Sequence, residues 1–319
     1  MSVSLAHVQA AARRIAAHIS RTPLVHANGL SEATGRDTWL KLESLQRTRA
    51  FKRRGACNAL LALSEGETVL PPLVTASAGN HGLALSSVAR ELGARLTIYV
   101  PRDAPRAKLD CLRGNGITIV ADCADYDEAE SRALAATAKG DGVFISAYNH
   151  PDVIAGAGTV ALEILEDLPG AGAIVVPTGG GGLLAGVAVA SDGRVPVVGV
   201  EPSANPAFTQ ALAAGHTTTI VPGASLADGL LGNLEHGALT FELVRQAGIP
   251  VHLVPEAFVV QGVRALFDQE RLVAEGAGAI AVGALLAGTL LHLPDPLVLL
   301  VTGANIDAPT LARVLEPCP

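Results

Sequence analysis

The sequence predicts an α/β protein built from two doubly wound, mostly parallel sheets, and three observations predict it. Short runs rich in Val, Ile and Leu alternate with longer amphipathic or Ala-rich stretches, joined by brief turns of Gly, Asn and Pro. Hydrophobic residues make up 49% of the chain and aromatic residues only 3%. The core must therefore be packed from Ala, Val, Leu and Ile, which suits helices laid closely on parallel strands. The 319 residues allow two domains or one long α/β unit, and the alternation falls into two series.

Residues 1–20 carry an amphipathic helical pattern with Arg13 and Arg14, and lack the continuous apolar core of a secretory signal. Residues 21–24 read as extended, 38–42 as a short strand and 56–63 as an Ala- and Leu-rich helix. A strand over 72–76 stops at Ser77-Ala78-Gly79-Asn80-His81-Gly82, and a helix over 83–92 follows. Strands at 96–100 and 117–120, with helices over 104–113 and 126–138 and a last strand at 142–146, complete the first series.

The second series starts after Asn149-His150-Pro151 with a helix over 158–166 and a strand at 173–176. Four glycines, Gly179 to Gly182, lead into a helix from Leu183, and a strand over 195–200 ends at Glu201. A loop-rich stretch to 237 precedes a helix at 239–246, a strand at 251–254 and a helix at 258–268. The apolar run 277–293 is interrupted by Gly and reads as a buried helix rather than a membrane span. A strand at 297–301 ends at Thr302. The first series interrupts the second, so the expected organisation is a large domain from 1–50 and 149–319 and a small domain from 51–148, its core at about 72–148.

A net charge of −7 argues against nucleic acid as a partner, because phosphate backbones require a basic face. Cys57, Cys111, Cys123 and Cys318 show no CxxC spacing and form no disulfide framework, so reduced thiols in a cytoplasmic protein are expected.

Against that acidic background, QRTRAFKRRGA at residues 46–56 holds five cations in eleven positions. Within it, Lys52 stands beside Phe51 and just inside an apolar helix. There an amine can be desolvated and its pKa lowered until it attacks a carbonyl. The same residues also read as the basic first turn of a solvated helix. The glycine run is open to two functional readings. Four residues without Cβ between strand and helix make an anion cup at a helix N-terminus. Gly180-Gly181-Gly182-Leu183-Leu184-Ala185 also satisfies GxGxxA, and Glu201 ends the next strand as an NAD site would want.

Taken together, the motifs resemble one family. Residues 46–56 are similar to its QRTGSFKxRGA. TASAGNHG at 75–82, NHPDVIAGAGT at 149–159, PTGGGGL at 177–183, ADG at 227–229, EGAG at 275–278 and TGAN at 302–305 follow in order. On these segments the chain resembles the fold-type II pyridoxal-phosphate enzymes, of tryptophan synthase β-like fold, in the branch of serine/threonine dehydratases and serine racemases.

The resemblance implies that Lys52 forms the Schiff base with pyridoxal 5'-phosphate and then acts as general base, with Phe51 near the ring. It implies that Asn80 hydrogen-bonds the phenolic oxygen, that Gly179, Gly180, Gly181, Gly182 and Leu183 hold the phosphate, and that Thr302 faces the pyridine nitrogen. Ser77, Ala78, Gly79, Asn80 and His81 would bind the substrate carboxylate, with His81 shaping the turn. A hydroxyl at 302 does not favour a protonated ring nitrogen, which favours elimination over transamination. The implied reaction removes water from L-threonine or L-serine to give a 2-oxo acid and ammonia. The implied assembly is a homodimer. With no residues beyond 319, feedback inhibition through a C-terminal regulatory domain is not expected.

Three departures from the family pattern bear on this. Ala78 stands where racemases place a second serine, which ranks dehydratase above racemase. Arg49-Ala50 replaces Gly-Ser, and Arg49 either reaches an acidic side chain such as that of 3-hydroxyaspartate or points to solvent. Metal-binding relatives place a carboxylate at the position of Glu201, a carbonyl ligand at that of Asn205 and an Asp at that of Ala207, so no tight divalent site is expected here. Asn149 is expected to line the cofactor side or the domain interface, Glu275 to lie near the ring or at a helix start, and Cys57 to pack in the core.

Overall fold

The computed structural model describes residues 3–316 apart from 67, 68, 105 and 115, so Cys318 lies outside the described residues. The chain opens with α1 (Leu5–Ile15), which buries Val8, Ala11 and Ile15 on one face and carries Arg13 and Arg14 in its last turn, at the negative end of the helix dipole. Next come β1 (Leu24–His26), α2 (Asn28–Thr34), β2 (Thr38–Lys41) and α3 (Lys52–Ser64). The first series then runs β3 (Leu73–Ala76), α4 (Asn80–Glu91), β4 (Leu96–Pro101), α5 (Arg106–Leu112), β5 (Ile117–Cys123), α6 (Tyr126–Ala138) and β6 (Val143–Phe144). The second runs α7 (Pro151–Asp167), β7 (Ala173–Pro177), α8 (Gly182–Ser191), β8 (Val197–Pro202), α9 (Ala207–Ala214), α10 (Leu239–Gln246), β9 (Val251–Val254), α11 (Glu256–Glu270), α12 (Gly276–Leu286), β10 (Leu297–Leu300) and α13 (Ala308–Leu315).

Two sheets result. The larger has the order β1-β2-β10-β7-β8-β9 and the smaller β5-β4-β3-β6. Every pairing is parallel except β1 with β2. The smaller sheet falls between β2 and β7 in sequence, as the interrupted rhythm predicts. Strand β10 is central, with Val298 opposite both Trp39 and Ile174. Its side chains alternate between two cores: Leu299 joins Val175 and Ile280 on one face, while Val298 and Leu300 join Ile174 and Val176 on the other. In the smaller sheet, α3 and α4 supply Leu60 and Leu85 to one face, and α6 supplies Ala129 and Ala133 to the other.

The Ala and Gly bias has a direct structural use. Helices α3 and α7 cross with their backbones nearly touching: a Cβ on Gly156 would sit 2.5 Å from the Arg54 carbonyl, and one on Gly55 2.8 Å from the Val153 carbonyl. That crossing fixes the helix that begins at Lys52 against the large sheet's own helical layer.

Beside it lies a buried charge network that the sequence patterns do not reveal. The Arg54 guanidinium donates to both oxygens of Glu43 at 2.8 Å and to Glu163 at 2.7 and 2.8 Å. Lys41 donates to Glu163 at 2.6 Å and to the Thr22 carbonyl at 2.7 Å. Two cations meet two carboxylates, so the buried charge is balanced.

Several expected boundaries move. Helix α7 starts at Pro151 rather than 158, because proline suits a first turn and the His150 ring accepts the Asp152 N–H as a cap. Helix α3 starts at Lys52 rather than 56, and the lysine stands just inside it, as expected. The strand expected at 142–146 is reduced to Val143–Phe144. Helices α2, α9 and α13 lie where no helix was expected. The apolar run 277–293 yields α12 only as far as Leu286, and no helix among the described residues is long and apolar enough to cross a membrane.

Candidate active site

The C-terminal ends of β3, β7 and β10 lead directly into the Ser77–Gly79 loop, the glycine run and Thr302, where open parallel sheets place their ligands. Lys52 sits at the first position of α3. Its Nζ donates to the Ala147 carbonyl at 2.8 Å and stands 5.1 Å from the centre of the Phe51 ring. Burial lowers the amine to about 8, so much of it is neutral slightly above physiological pH. The Phe51 N–H donates to the Thr302 carbonyl at 3.0 Å, which ties the lysine to the end of β10. The Thr302 hydroxyl, 3% exposed, donates to the Ala277 carbonyl over 3.3 Å.

Gly181 is the left-handed N-cap of α8, with φ +81°, a conformation that favours glycine. Substitution would also collide: a Cβ on Gly180 would lie 2.4 Å from the Tyr148 ring, and one on Gly181 2.5 Å from the Phe208 ring. The N–H groups of the first turn of α8, including Leu183, have no acceptor within the helix and suit an anion. Tyr148 follows Ala147, the residue that accepts from Lys52, so the lysine and the glycine cup meet on consecutive residues.

Asn80 opens α4, and its amide is held at both ends. Nδ2 donates to Glu275 at 2.6 Å, while Oδ1 accepts from Asn305 at 2.6 Å. Asn305 also donates its main-chain N–H to Glu275 at 3.1 Å and its side-chain amide to the Thr48 carbonyl at 3.0 Å. Glu275 is thus both the N-cap residue of α12 and the partner of Asn80, joining the two roles left open for it. Gly303 completes the contact: a Cβ there would lie 3.3 Å from Asn80 Nδ2. Ser77 Oγ accepts the Gly79 N–H at 3.2 Å and shapes the turn before the free N–H groups of α4, with Ala78 between them.

His81 does not cap the turn. It lies inside the first turn of α4, 2% exposed, and Nε2–H donates to the Ile145 carbonyl at 3.1 Å. Burial, with the Lys52 charge second, drives it down to about 3, so it is neutral at physiological pH.

Four further residues take positions the sequence leaves open. The Glu201 carboxylate accepts the N–H groups of Phe208 and Thr209 at 3.0 and 2.7 Å and caps α9, and burial pushes its pKa up. Asn205 exchanges hydrogen bonds with the main chain of Gly232. Arg49 is exposed, in a left-handed conformation with φ +58°, and its carbonyl accepts the Ala304 N–H. Asn149 donates to Glu235 at 2.6 Å and accepts the Leu239 N–H at 2.8 Å, both contacts lying within residues 149–319. Glu235 and Tyr148 were not singled out from sequence. Tyr148 adjoins Asn149 in the sequence, whereas Glu235 lies 86 positions from it.

A readily neutralised lysine at a helix start, beside a glycine cup for an anion and an amide fixed by a carboxylate, defines an α/β enzyme of the lysine Schiff-base class. The chain belongs to the pyridoxal-phosphate dependent enzyme family, whose pattern matches residues 15–303. It is 37% identical to the L-threonine ammonia-lyase of Thermotoga maritima over 317 residues, 98% of this chain and 78% of that one. It is 31% identical to the serine racemase of Dictyostelium discoideum over 322 residues, 99% of this chain and 98% of that one. The solved structure of maize serine racemase superposes with a TM-score of 0.90 at 29% identity, covering 98% and 97% of the two chains.

The family match includes the glycine run, which sets aside the dinucleotide reading of that segment. The residues present fit pyridoxal 5'-phosphate: a lysine amine with depressed pKa suits its aldehyde, and a cradle that any Cβ would fill suits its phosphate.

Proposed function

We propose that the protein is a dehydratase of the ammonia-lyase type that removes water from L-threonine and L-serine, giving a 2-oxo acid and ammonia. The observation that carries the reading is Lys52, whose buried amine is lowered to about 8 beside the glycine cup. Gly179, Gly180, Gly181, Gly182 and Leu183 would hold the cofactor phosphate, Phe51 and Thr302 would flank the ring, and Asn80 would donate its second N–H to the phenolic oxygen. When bound, the cofactor supplies an electron sink for negative charge developing at Cα.

The chain's own residues do the rest. Main-chain N–H groups of the loop from Ser77 to His81 hold the substrate carboxylate at the start of α4. The Lys52 amine, lowered to about 8 by burial, would take the Cα proton at Nζ. The Cβ hydroxyl departs as water with the equivalent of the proton that Lys52 removed from Cα, and hydrolysis of the resulting enamine gives 2-oxobutanoate from threonine or pyruvate from serine, with ammonia and no net oxidation. His81, neutral and hydrogen-bonded to Ile145, positions the loop rather than exchanging protons.

The similarity to serine racemases keeps racemisation as a second reading. Ala78 bears no acid for the opposite face of Cα, which supports dehydration. The acidic-substrate alternative, 3-hydroxyaspartate, depended on Arg49, and an exposed side chain in no ion pair among the described residues lends it no support. A homodimer and a cytoplasmic location accompany this proposal, and free thiols at Cys57, Cys111 and Cys123 fit a reducing compartment. The 51–148 segment is taken as the small domain.

The test is direct. Purified protein is incubated with L-threonine, L-serine and L-threo-3-hydroxyaspartate while 2-oxo acid, ammonia and D-serine are measured. Release of 2-oxobutanoate from threonine is expected, and D-serine as the main product from serine would replace dehydratase with racemase. Borohydride reduction and peptide mapping should place the cofactor adduct on Lys52.

A further inference from the structure

The three residues that follow Ile145 each face a different part of the site. Ser146 Oγ donates to Glu235 Oε1 at 3.0 Å, the Ala147 carbonyl accepts from Lys52 at 2.8 Å, and Tyr148 packs its ring on Gly180 and its main chain on Gly182. The Tyr148 hydroxyl in turn accepts the Glu235 N–H at 2.9 Å, and Glu235 Oε2 accepts from Asn149 at 2.6 Å. The Glu235 carboxylate is thus pinned to the strip of chain that separates the reactive lysine from the phosphate cup.

Its partners, Ser146 and Asn149, are neutral, and no lysine or arginine among the described residues pairs with it. Burial, then the charge of Glu235, raises the Tyr148 phenol, which therefore remains protonated beside the carboxylate.

We infer that Glu235 gives the pocket for the substrate side chain a negative wall, so that the site accepts neutral or cationic amino acids and turns away those with a second carboxylate. The inference rests on the amino-acid-binding reading above and deepens it. A carboxylate on the substrate would approach Glu235 across a partly desolvated gap where like charges repel strongly, and Arg49 offers it no compensation. An ammonium or hydroxyl would meet an acceptor there instead.

The experiment uses holoenzyme and three ligands without a leaving group on Cβ: L-aspartate, L-2-aminobutyrate and L-2,4-diaminobutyrate. Binding is read from the shift each causes in the visible absorption of the cofactor. In the native protein aspartate should bind at least about tenfold more weakly than aminobutyrate, and diaminobutyrate no more weakly than aminobutyrate. Glu235→Gln keeps an acceptor for Asn149 and a donor for Ser146, and should reduce the penalty on aspartate by about tenfold. Equal native binding of aspartate and aminobutyrate, or an unchanged ratio in the variant, overturns the inference. Should Glu235→Gln lose the cofactor, Glu235→Ser is judged by the same ratio. Because none of the ligands needs elimination, the ratio stands even if serine and threonine release no 2-oxo acid, an outcome that would overturn the dehydratase reading alone.

Discussion

The side-chain amide of Asn80 lies 2.6 Å from the Glu275 carboxylate and is held at its other end by Asn305. A carboxylate accepts only hydrogen, so the NH2 group must face Glu275, and the orientation of the amide is settled by its neighbours. One N–H remains to point elsewhere. Glu275→Gln should leave the amide free to turn over and weaken cofactor binding by about tenfold, a loss of one charge-assisted hydrogen bond. Titration of the cofactor-free protein by visible absorption checks this, and unchanged affinity would remove Glu275 from the site.

Lys52→Ala should abolish both the visible band of bound cofactor and turnover, the latter by several orders of magnitude, since nucleophile and base are lost together. In the native cofactor-free protein, the rate of cofactor attachment should rise with pH through about 8, where the buried amine loses its proton. A midpoint near that of an ordinary lysine would contradict the burial described for it.

Gly180→Ala places a methyl group into the Tyr148 ring. The expected cost is about 1–3 kcal/mol of stability, with a loss of phosphate affinity as the ring is pushed aside. Urea unfolding and cofactor titration measure the two effects separately.

His81 should show no titration by histidine NMR between pH 5 and 8. Its folded pKa, about 3, lies below the ordinary value of 6.5, so an unfolded chain takes up a proton that the folded chain refuses. Its contribution to stability is therefore present above 6.5 and is lost progressively as pH falls toward 3. His81→Gln should flatten that acid limb. A limb of unchanged steepness would assign acid sensitivity to other groups.

Glu163→Ala removes one carboxylate from two buried cations, Lys41 and Arg54. Breaking such a network costs about 3–5 kcal/mol, because a charge is left buried without its counterpart. Chemical denaturation of the holoenzyme gives the number. Arg49→Gly, by contrast, relieves a left-handed side chain and should stabilise by about 1 kcal/mol without altering substrate preference.

The doubly wound fold was legible because strand and helix periods differ and the glycine and asparagine turns punctuate them. The site was legible at Lys52, Asn80 and the glycine run because backbone-dependent chemistry leaves short, ordered motifs. Glu235, Tyr148 and the Arg54 network were not, since they are made by residues far apart in sequence: 86 positions separate Asn149 from Glu235, and 109 separate Arg54 from Glu163. Helix α9 escaped notice because its cap is Glu201, supplied by the preceding strand rather than by a local Ser, Thr, Asp or Asn. The helix expected from 83 begins at Asn80, which puts His81 inside its first turn rather than in the turn before it.

The bond from Lys52 to the Ala147 carbonyl joins the two places where the chain passes between the sheets. The smaller unit therefore leaves and rejoins its host at neighbouring points, the arrangement in which natural domain insertions are tolerated. It is a cassette. A chimera that exchanges residues 53–146 for the matching segment of a relative keeps the lysine, the glycine cup and Glu235, and replaces the carboxylate loop and α6. Such grafts offer a route to assign selectivity to one half of the molecule or the other without a point mutation in either.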